Sequence, residues 1–529
     1  MCGIWALVGE VMNISDISNC IKKLNKRGPE DSRMFFGNKY QFGFTRLALN
    51  GLNNDGMQPM HHNNYIDWIC NGEIYNWKTL ANEIGFVSKS GSDCEIIGPL
   101  IEKTDDLCDF FRRLHGVFAT VIAYDNKIIV GRDPYGVRPL FISTFDSKVI
   151  LSSEVKAIPS GGLTKPFPPG YYAVIDPTTL TVTYTQYHIQ IINPIPRNEV
   201  LSKIRNGLTS AVQLRMLTER PIAALLSGGL DSSLIAALVQ QELVKSKRPP
   251  LETFSIGFKG SEDLRHARIV ADHIGSNHTE IVMTPDEFFS VIPEVIHDIE
   301  SYDITTVRAS VGNWLVAKEI SKRSKCKVVF NGDGSDEVFG GYLYFYKAPS
   351  YEEFEEESDR LLNHIHLFDV LRSDRCISSH GLEPRTPFLD KTFVDIVKSV
   401  PVDMRCPSDE QMEKWVLRKA FEDTNILPLE VLYRKKEAFS DGVSTNKGIS
   451  WYEECRSRSF EKVPDWKDNL LDMIHLKPYT SESYYYRLLF DKYYPNLEHL
   501  IPYFWMPKWS PETNDPSART LYPSTMNTC

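Results

Sequence analysis

The chain of 529 residues has no apolar stretch near the roughly 18–20 residues that a bilayer-spanning helix needs, so no membrane partner is expected. It has no run of five or six basic residues, and its net charge is −10. Nucleic-acid backbones are held by concentrated positive charge, so no nucleic-acid partner is expected either. The 10 cysteines nowhere form a Cys-x-x-Cys pair, which removes the usual structural zinc site, and their scatter fits thiols kept reduced. The start, Met1-Cys2-Gly3-Ile4-Trp5, lacks the basic opening of a signal peptide, so a cytoplasmic location is expected. Internal repeats and low-complexity tracts are also missing. At roughly 100–250 residues per domain, the length calls for two or three globular cores.

What is present changes character along the chain. Short apolar or alternating runs at 3–9, 43–49, 65–70, 117–124, 127–130, 140–144, 171–175 and 181–187, broken by Gly, Asn, Asp and Pro, predict a β-rich first domain with a few helices. The two prolines of Asn193-Pro194-Ile195-Pro196 forbid regular structure, and the helical spacing Val200, Ile204, Leu208, Val212 and Leu214 follows. Domains are therefore expected at 2–190 and 198–529. From Pro221 onward strands at 222–226, 253–257, 278–282 and 327–331 alternate with helices at 232–245, 263–274 and 285–297 and a helix-rich remainder, which predicts an α/β domain with a parallel sheet covered on both faces. The acidic run Glu352, Glu353, Glu355, Glu356 and Glu357 reads as a solvated helix face.

Cys2 is placed unlike the other cysteines. Removal of Met1 would leave a thiol and a free α-amine on one residue, and an amine of pKa about 7.7–8.0 takes a thiol proton near neutrality without a histidine. The strand-like run Gly3-Ile4-Trp5-Ala6-Leu7-Val8-Gly9 would hold that terminus still. Asn71-Gly72-Glu73 offers a side-chain amide and a glycine N–H for the oxyanion of a tetrahedral intermediate. Arg46 could fork onto a carboxylate, and Asp93 could meet an ammonium group.

Together with Gly131-Arg132-Asp133-Pro134-Tyr135-Gly136-Val137-Arg138-Pro139-Leu140, these residues closely resemble the class II glutamine amidotransferases across the first domain. The resemblance implies an α+β fold of N-terminal nucleophile type, an antiparallel β sandwich with flanking helices. It implies that Cys2 attacks the glutamine amide, that Asn71 and Gly72 form the oxyanion hole, and that Arg46, Leu47, Ala48, Leu49, Asn50, Glu73 and Asp93 hold glutamine. Lys26-Arg27-Gly28-Pro29-Glu30-Asp31 departs slightly from the family's His-Arg-Gly-Pro-Asp.

In the second domain Leu225-Leu226-Ser227-Gly228-Gly229-Leu230-Asp231-Ser232-Ser233 runs from an apolar strand into a helix. Small residues bring backbone N–H groups close to an anion, and the helix N-terminus adds partial positive charge. The loop lacks the Gly-Lys-Ser/Thr of a P-loop NTPase, so γ-phosphoryl transfer is not the leading reading, and Asp231 could help hold Mg²⁺. Asn331-Gly332-Asp333-Gly334-Ser335-Asp336-Glu337 also leaves a strand for a helix and gathers carboxylates there. The first of these motifs resembles that of the ATP pyrophosphatases, with their adenine nucleotide α-hydrolase-like sheet. ATP would lie against Leu226, Ser227, Gly228, Gly229, Asp231, Ser232, Ile256, Asn331 and Gly332.

Taken with Tyr302-Asp303-Ile304-Thr305-Thr306-Val307-Arg308, Gly381-Leu382-Glu383-Pro384-Arg385-Thr386-Pro387 and Lys436-Glu437-Ala438-Phe439-Ser440-Asp441-Gly442, the chain is similar to the glutamine-hydrolysing asparagine synthetase family, from Cys2 through Tyr503-Phe504-Trp505 to Asp515-Pro516-Ser517-Ala518-Arg519. The resemblance implies the substrates glutamine, aspartate and ATP, Mg²⁺, an ammonia passage between two sites, and roles for Thr305, Thr306, Arg308, Asp333 and Lys436 toward aspartate and its adenylate. A homodimer is a further expectation. The family's Ser-Gly-Glu is Asn331-Gly332-Asp333 here, and a small loop shift is expected to keep Asp333 competent. A relative adenylating another carboxylate, as the β-lactam synthetases do, a glutaminase supplying ammonia elsewhere, and a non-catalytic nucleotide sensor are the alternatives. Cys529 is expected to be an exposed thiol on a mobile tail.

Overall fold

Alternation decides the first half of the molecule. Along Gly3–Gly9, Ile4, Ala6 and Val8 point to one face and Trp5 and Leu7 to the other, and all five are buried in the computed structural model. A strand buried on both faces must lie inside a layered structure, and here it lies near the middle of a six-stranded antiparallel sheet ordered Leu163–Pro166, Phe141–Thr144, Lys148–Ser152, Gly3–Gly9, Tyr40–Arg46, Asp31–Phe36. A second antiparallel sheet is ordered Val182–Gln186, Tyr171–Ile175, Lys127–Arg132, Gly116–Tyr124, Ile66–Ile74, Met60–His62. The two sheets face each other through Ile4, Ala6, Phe42 and Phe44 on one side and Ile69, Ala119, Val121 and Val130 on the other. Trp5 and Leu7 turn outward under the helix Ile14–Lys22, and Trp68, Ile122 and Ile129 under Trp77–Ile84, Ile97–Glu102 and Leu107–Arg113. The result is a helix-flanked β sandwich.

The second half carries a five-stranded parallel sheet ordered Asn277–Val282, Glu252–Gly257, Ile222–Leu225, Val328–Phe330, Glu383–Arg385. Ile222–Leu225 pairs with Glu252–Gly257 on one side and with Val328–Phe330 on the other, so the chain reverses its direction of travel there. Such a switch point opens a crevice beyond the carboxyl ends of the strands. The structure describes residues 1–437, 442–445, 448–470 and 473–510. The expected motif positions Ala438, Phe439, Ser440 and Asp441, the segment 515–519 and Cys529 lie outside the described residues.

Three local readings are corrected. The single helix expected at 285–297 is two, Pro285–Ser290 and Ile292–Ile299, because Pro293 has no N–H to continue the first helix and suits the opening turn of the second. The strand Glu383–Arg385, read as part of a helical remainder, has only three residues, and Pro384 is tolerated because the strand forms the sheet edge. In the helix Tyr351–His364 the solvated-face reading fails at Glu357, which is fully buried and accepts hydrogen bonds from Tyr344 at 2.6 Å and Arg360 at 2.7 Å.

Buried charge joins the two halves. Arg27, with no exposed surface, donates to Glu154 at 2.9 Å within its own half and to Asp374 at 2.8 Å in the other, and its Nε donates to the Cys2 carbonyl at 3.0 Å. Removing one partner of a buried pair leaves the other charge uncompensated. Asp374→Ala is therefore expected to destabilise the protein by about 3 kcal/mol, the low end for a buried pair because Glu154 remains, read from urea unfolding.

Candidate active site

In the first half the sheets bring the predicted residues to one place. Strand parity puts Cys2 on the inner face with Ile4, and puts Asn71 and Glu73 on the inner face with Ile69. The Cys2 thiol lies 3.6 Å from the Leu47 carbonyl, and burial pushes it up to about 11, even though the neighbouring terminal amine favours the thiolate. Asn71 has no exposed surface, and neither its amide nitrogen nor its amide oxygen has a hydrogen-bond partner among the described residues. A buried primary amide left with all its bonds unmade is costly unless something else completes it. Next to it, a Cβ on Gly72 would lie 2.2 Å from the Val117 carbonyl oxygen, so only glycine fits.

Asn50 bridges the two acids, donating to Glu73 at 2.8 Å and approaching Asp93 at 3.4 Å, while Asp93 accepts from the Ile74 N–H at 2.6 Å. Burial raises Asp93 to about 6, and burial together with Asp93 and Glu383 pushes Glu73 well above the usual carboxylate range, against the pull of Arg385 at 3.3 Å. Two acids raised this way favour a cation between them. Arg46 is buried. Its Nη1 donates to the Asn53 carbonyl at 2.8 Å and its Nη2 to Gly51 at 2.5 Å, bracing the turn that carries Asn50. Leu47, Ala48 and Leu49 are buried beside it, with Ala48 N–H donating to Glu30 at 2.8 Å.

In the second half Leu226, Ser227, Gly229, Asp231, Ser232, Ile256, Thr305, Thr306, Arg308, Asn331, Gly332, Asp333 and Lys436 line a single cavity of about 250 Å³ at the switch point of the parallel sheet. Gly228 stands behind its wall at φ +72°, where a Cβ would lie 2.4 Å from the Ala267 nitrogen. The helix Leu230–Lys245 begins at Gly229 without a side-chain cap, which leaves its first N–H groups for an anion. Thr306 spends its hydroxyl on Asp303 at 2.8 Å, whereas the buried Thr305 hydroxyl has no partner among the described residues. Arg308 donates from Nε to Glu482 at 2.7 Å and from Nη2 at 2.5 Å and lies 4.6 Å from the Tyr452 ring centroid, so a carboxylate of the chain itself holds the guanidinium.

The sequence reading missed Lys414. Its amine lies 2.6 Å from Asp231 and 2.6 Å from Asp336, and Lys436 lies 2.5 Å from Asp336 and 3.9 Å from Asp231. Burial works to lower the Lys436 pKa, but Asp336 and Asp231 outweigh it and hold the amine charged. Glu337, also missed as an individual group, accepts from Tyr342 at 2.6 Å, while its second oxygen is buried without a partner among the described residues. Asp333 is raised to about 6 by burial and by Asp369, against Arg372 at 3.5 Å. Among the described residues no group of three or more His, Cys, Asp or Glu could hold a metal on its own. A Mg²⁺ that arrives with phosphates needs only one or two carboxylates, and Asp231 beside the loop suits that donor set.

Known proteins agree with both halves. Residues 1–188 match the family model described as glutamine amidotransferase domain, and 203–356 and 348–519 match that of asparagine synthase. The chicken protein named asparagine synthetase [glutamine-hydrolyzing] is 42% identical over 567 residues, covering 98% of each chain. The cattle and human proteins of that name are 42% identical over 560 and 561 residues, with the same coverage. A half-buried thiol at the head of an amidotransferase sandwich and a nucleotide-type crevice in a parallel sheet, matched over nearly the full length, mean that the chain belongs to the glutamine-hydrolysing asparagine synthetases.

Proposed function

We propose that Cys2, Asn71 and Gly72 carry out glutamine hydrolysis and that the 250 Å³ cavity carries out adenylation and amidation. The observation behind this assignment is that residues from five separate stretches of sequence, near 226–232, 256, 305–308, 331–337 and 436, converge on that cavity. Once Met1 is removed, the Cys2 α-amine takes the thiol proton and the sulfur attacks the glutamine side-chain carbonyl carbon. Asn71 and the Gly72 N–H hold the oxyanion, the C–N bond breaks, and ammonia leaves with the proton. Water then hydrolyses the thioester to glutamate. Glu73 and Asp93 take the glutamine ammonium, and Leu47, Ala48, Leu49, Asn50 and Arg46 shape its pocket.

In the cavity an oxygen of the aspartate side-chain carboxylate attacks the α-phosphorus of ATP, with Leu226 and Ile256 against the adenosine. Pyrophosphate leaves beside Ser227, Gly228, Gly229, Ser232, Thr305 and Lys436. Mg²⁺ held at Asp231 would neutralise charge on the phosphates. Ammonia attacks the acyl carbon of the adenylate, Asp333 receives the proton, and AMP departs to leave asparagine. Arg308, Thr306, Asn331 and Gly332 frame the intermediate. The catalytic units are assigned to 2–190 and 198–529. A cytoplasmic setting is supported by nine described cysteines that are all free thiols, and no described helix is long and apolar enough to cross a membrane.

Protein whose first residue is Cys2, supplied with glutamine, aspartate and Mg·ATP, is expected to give asparagine and AMP in matched amounts by mass spectrometry. Glutamate without asparagine would sink the assignment of the cavity. A base at Asp333 must be ionised to take a proton, and its carboxyl lies at about 6. Ammonia-dependent asparagine formation, expressed per free ammonia, is therefore expected to fall as pH drops through about 6 and to lose that limb in Asp333→Asn, whose residual rate is low throughout.

A further inference from the structure

The loop that carries Asp333 is fastened to one helix at three points. Asn331 Nδ2 donates to Ser373 Oγ at 2.7 Å, the Gly334 N–H donates to Asp369 Oδ2 at 3.2 Å, and Arg372 Nη2 reaches Asp333 Oδ1 at 3.5 Å while also pairing with Asp369. Asp369, Arg372 and Ser373 all lie within the helix Asp369–Ser378, in its first five residues. Behind the loop there is no room to retreat. A Cβ on Gly332 would lie 2.7 Å from the Ser232 nitrogen and 2.8 Å from Asp231, so the loop presses directly on the phosphate-type loop. Gly334, at φ +90°, would meet Leu389 at 2.5 Å if it carried a Cβ.

A clamp of this kind matters more for aspartate than for a longer acid. With two side-chain torsions the carboxylate of Asp333 follows its backbone closely, so its place in the cavity is set by whatever sets the loop. One of its oxygens, Oδ1, faces Arg372, and the other, Oδ2, is buried without a hydrogen-bond partner among the described residues. That leaves one oxygen steered and one spare to receive a proton. Ser373, with no exposed surface, also lies near the carboxylate and helps to keep it ionised.

We propose that Arg372 and Ser373 are positioning residues for amidation, acting through Asp333: the helix Asp369–Ser378 fixes the loop against Asp231 and Ser232 and so aims the free Asp333 oxygen at the acyl carbon's incoming ammonia. This rests on the assignment of Asp333 as proton acceptor. Adenylation does not use that oxygen, so the two half-reactions respond differently. A displacement of about 1 Å costs on the order of 100-fold in rate, which sets the expected size of the effect.

The test uses the full-length protein with five variants, Arg372→Gln, Arg372→Lys, Ser373→Ala, Asp333→Asn and the double variant Arg372→Gln/Asp333→Asn. Two rates are read for each, ammonia-dependent asparagine formation and aspartate-dependent exchange of labelled pyrophosphate into ATP. Arg372→Gln is expected to lower kcat for asparagine about 30- to 100-fold, with pyrophosphate exchange and the KM for aspartate within about threefold of the parent. Arg372→Lys is expected to recover most of that loss, and Ser373→Ala to lose about tenfold, again in the amidation step alone. The double variant Arg372→Gln/Asp333→Asn is expected to be no slower than Asp333→Asn, since a residue that acts only through another adds nothing once the other is gone. Retained amidation in Arg372→Gln, or a parallel fall of both rates, overturns the proposal, the second because it places Arg372 in nucleotide binding or folding. Full amidation by Asp333→Asn would instead overturn the role of Asp333 itself.

Discussion

Protein that keeps Met1 is expected to hydrolyse glutamine at least about 1,000-fold more slowly than protein that begins at Cys2, as slowly as Cys2→Ala, while all three still make asparagine from ammonia at comparable rates. With Met1 attached, the nitrogen of Cys2 belongs to a peptide bond and accepts no proton. The thiol, pushed to about 11 by burial, is then ionised in only about one molecule in 10,000 at pH 7. The amine that remains is that of Met1, one residue away, buried and lowered to about 6 by loss of solvent. It is largely neutral at pH 7 and so free to take a proton, but its lowered pKa makes it a weaker base, and it is not the amine joined to the nucleophile. Met1 is only 1% exposed, so in the folded chain an aminopeptidase has no hold on it. Methionine release is accordingly expected from the unfolded or nascent chain and not from the folded protein. Intact-mass measurement fixes the terminus of each preparation, and a glutamate-release assay gives the rate. Equal rates with and without Met1 would remove the α-amine from the mechanism.

The two halves differ in how much of them the sequence reveals. The sandwich strand at Gly3–Gly9 is legible because both parities are apolar, and Tyr171–Ile175 because turns bound it on either side. Asp31–Phe36 is not, since it is an edge strand with mostly exposed side chains and no alternation to read. Residues of the two sites become legible where chemistry needs a local motif. The Ser227–Ser232 loop is one case, because phosphate binding requires consecutive small residues before a helix. Lys414 shows the opposite case. It sits in no motif, and its place depends on a left-handed backbone at φ +59° and on Gly341, where a Cβ would lie 2.1 Å from its Cε. Arg46 and Arg308 show a further limit. Their residue type suggests a guanidinium fork for Arg46 and only the family resemblance brings Arg308 to a site, and their receptors in the structure, the carbonyls of Gly51 and Asn53 and the carboxylate of Glu482, come from turns and helices whose position the local sequence does not specify.

Lys414→Met is expected to lower aspartate-dependent pyrophosphate exchange by about 1,000-fold or more and to leave glutamine hydrolysis within about threefold. The lysine amine stands between two carboxylates, 2.6 Å from each, with only 1% of its side chain exposed. A backbone in the left-handed region costs about 1–3 kcal/mol for such a residue, and the cost is met by its anchored neighbour. Glu413 donates its N–H to Tyr346 at 3.1 Å and pairs with Arg418 at 2.6 Å. Methionine keeps the length and removes the charge, so Asp231 and Asp336 would then face each other with Lys436 as the remaining cation between them. Two acids sharing one lysine carry uncompensated negative charge that repels incoming phosphates. The same substitution lies outside the sandwich that carries Cys2, which is why hydrolysis survives. Lys436→Met is expected to act in the same direction. Because both amines serve the same two carboxylates, the losses are expected to be strongly non-additive, with the double variant close to the worse single one. Fully additive losses would show instead that the two lysines contact different groups of the substrate, one serving the phosphates and the other the acyl end.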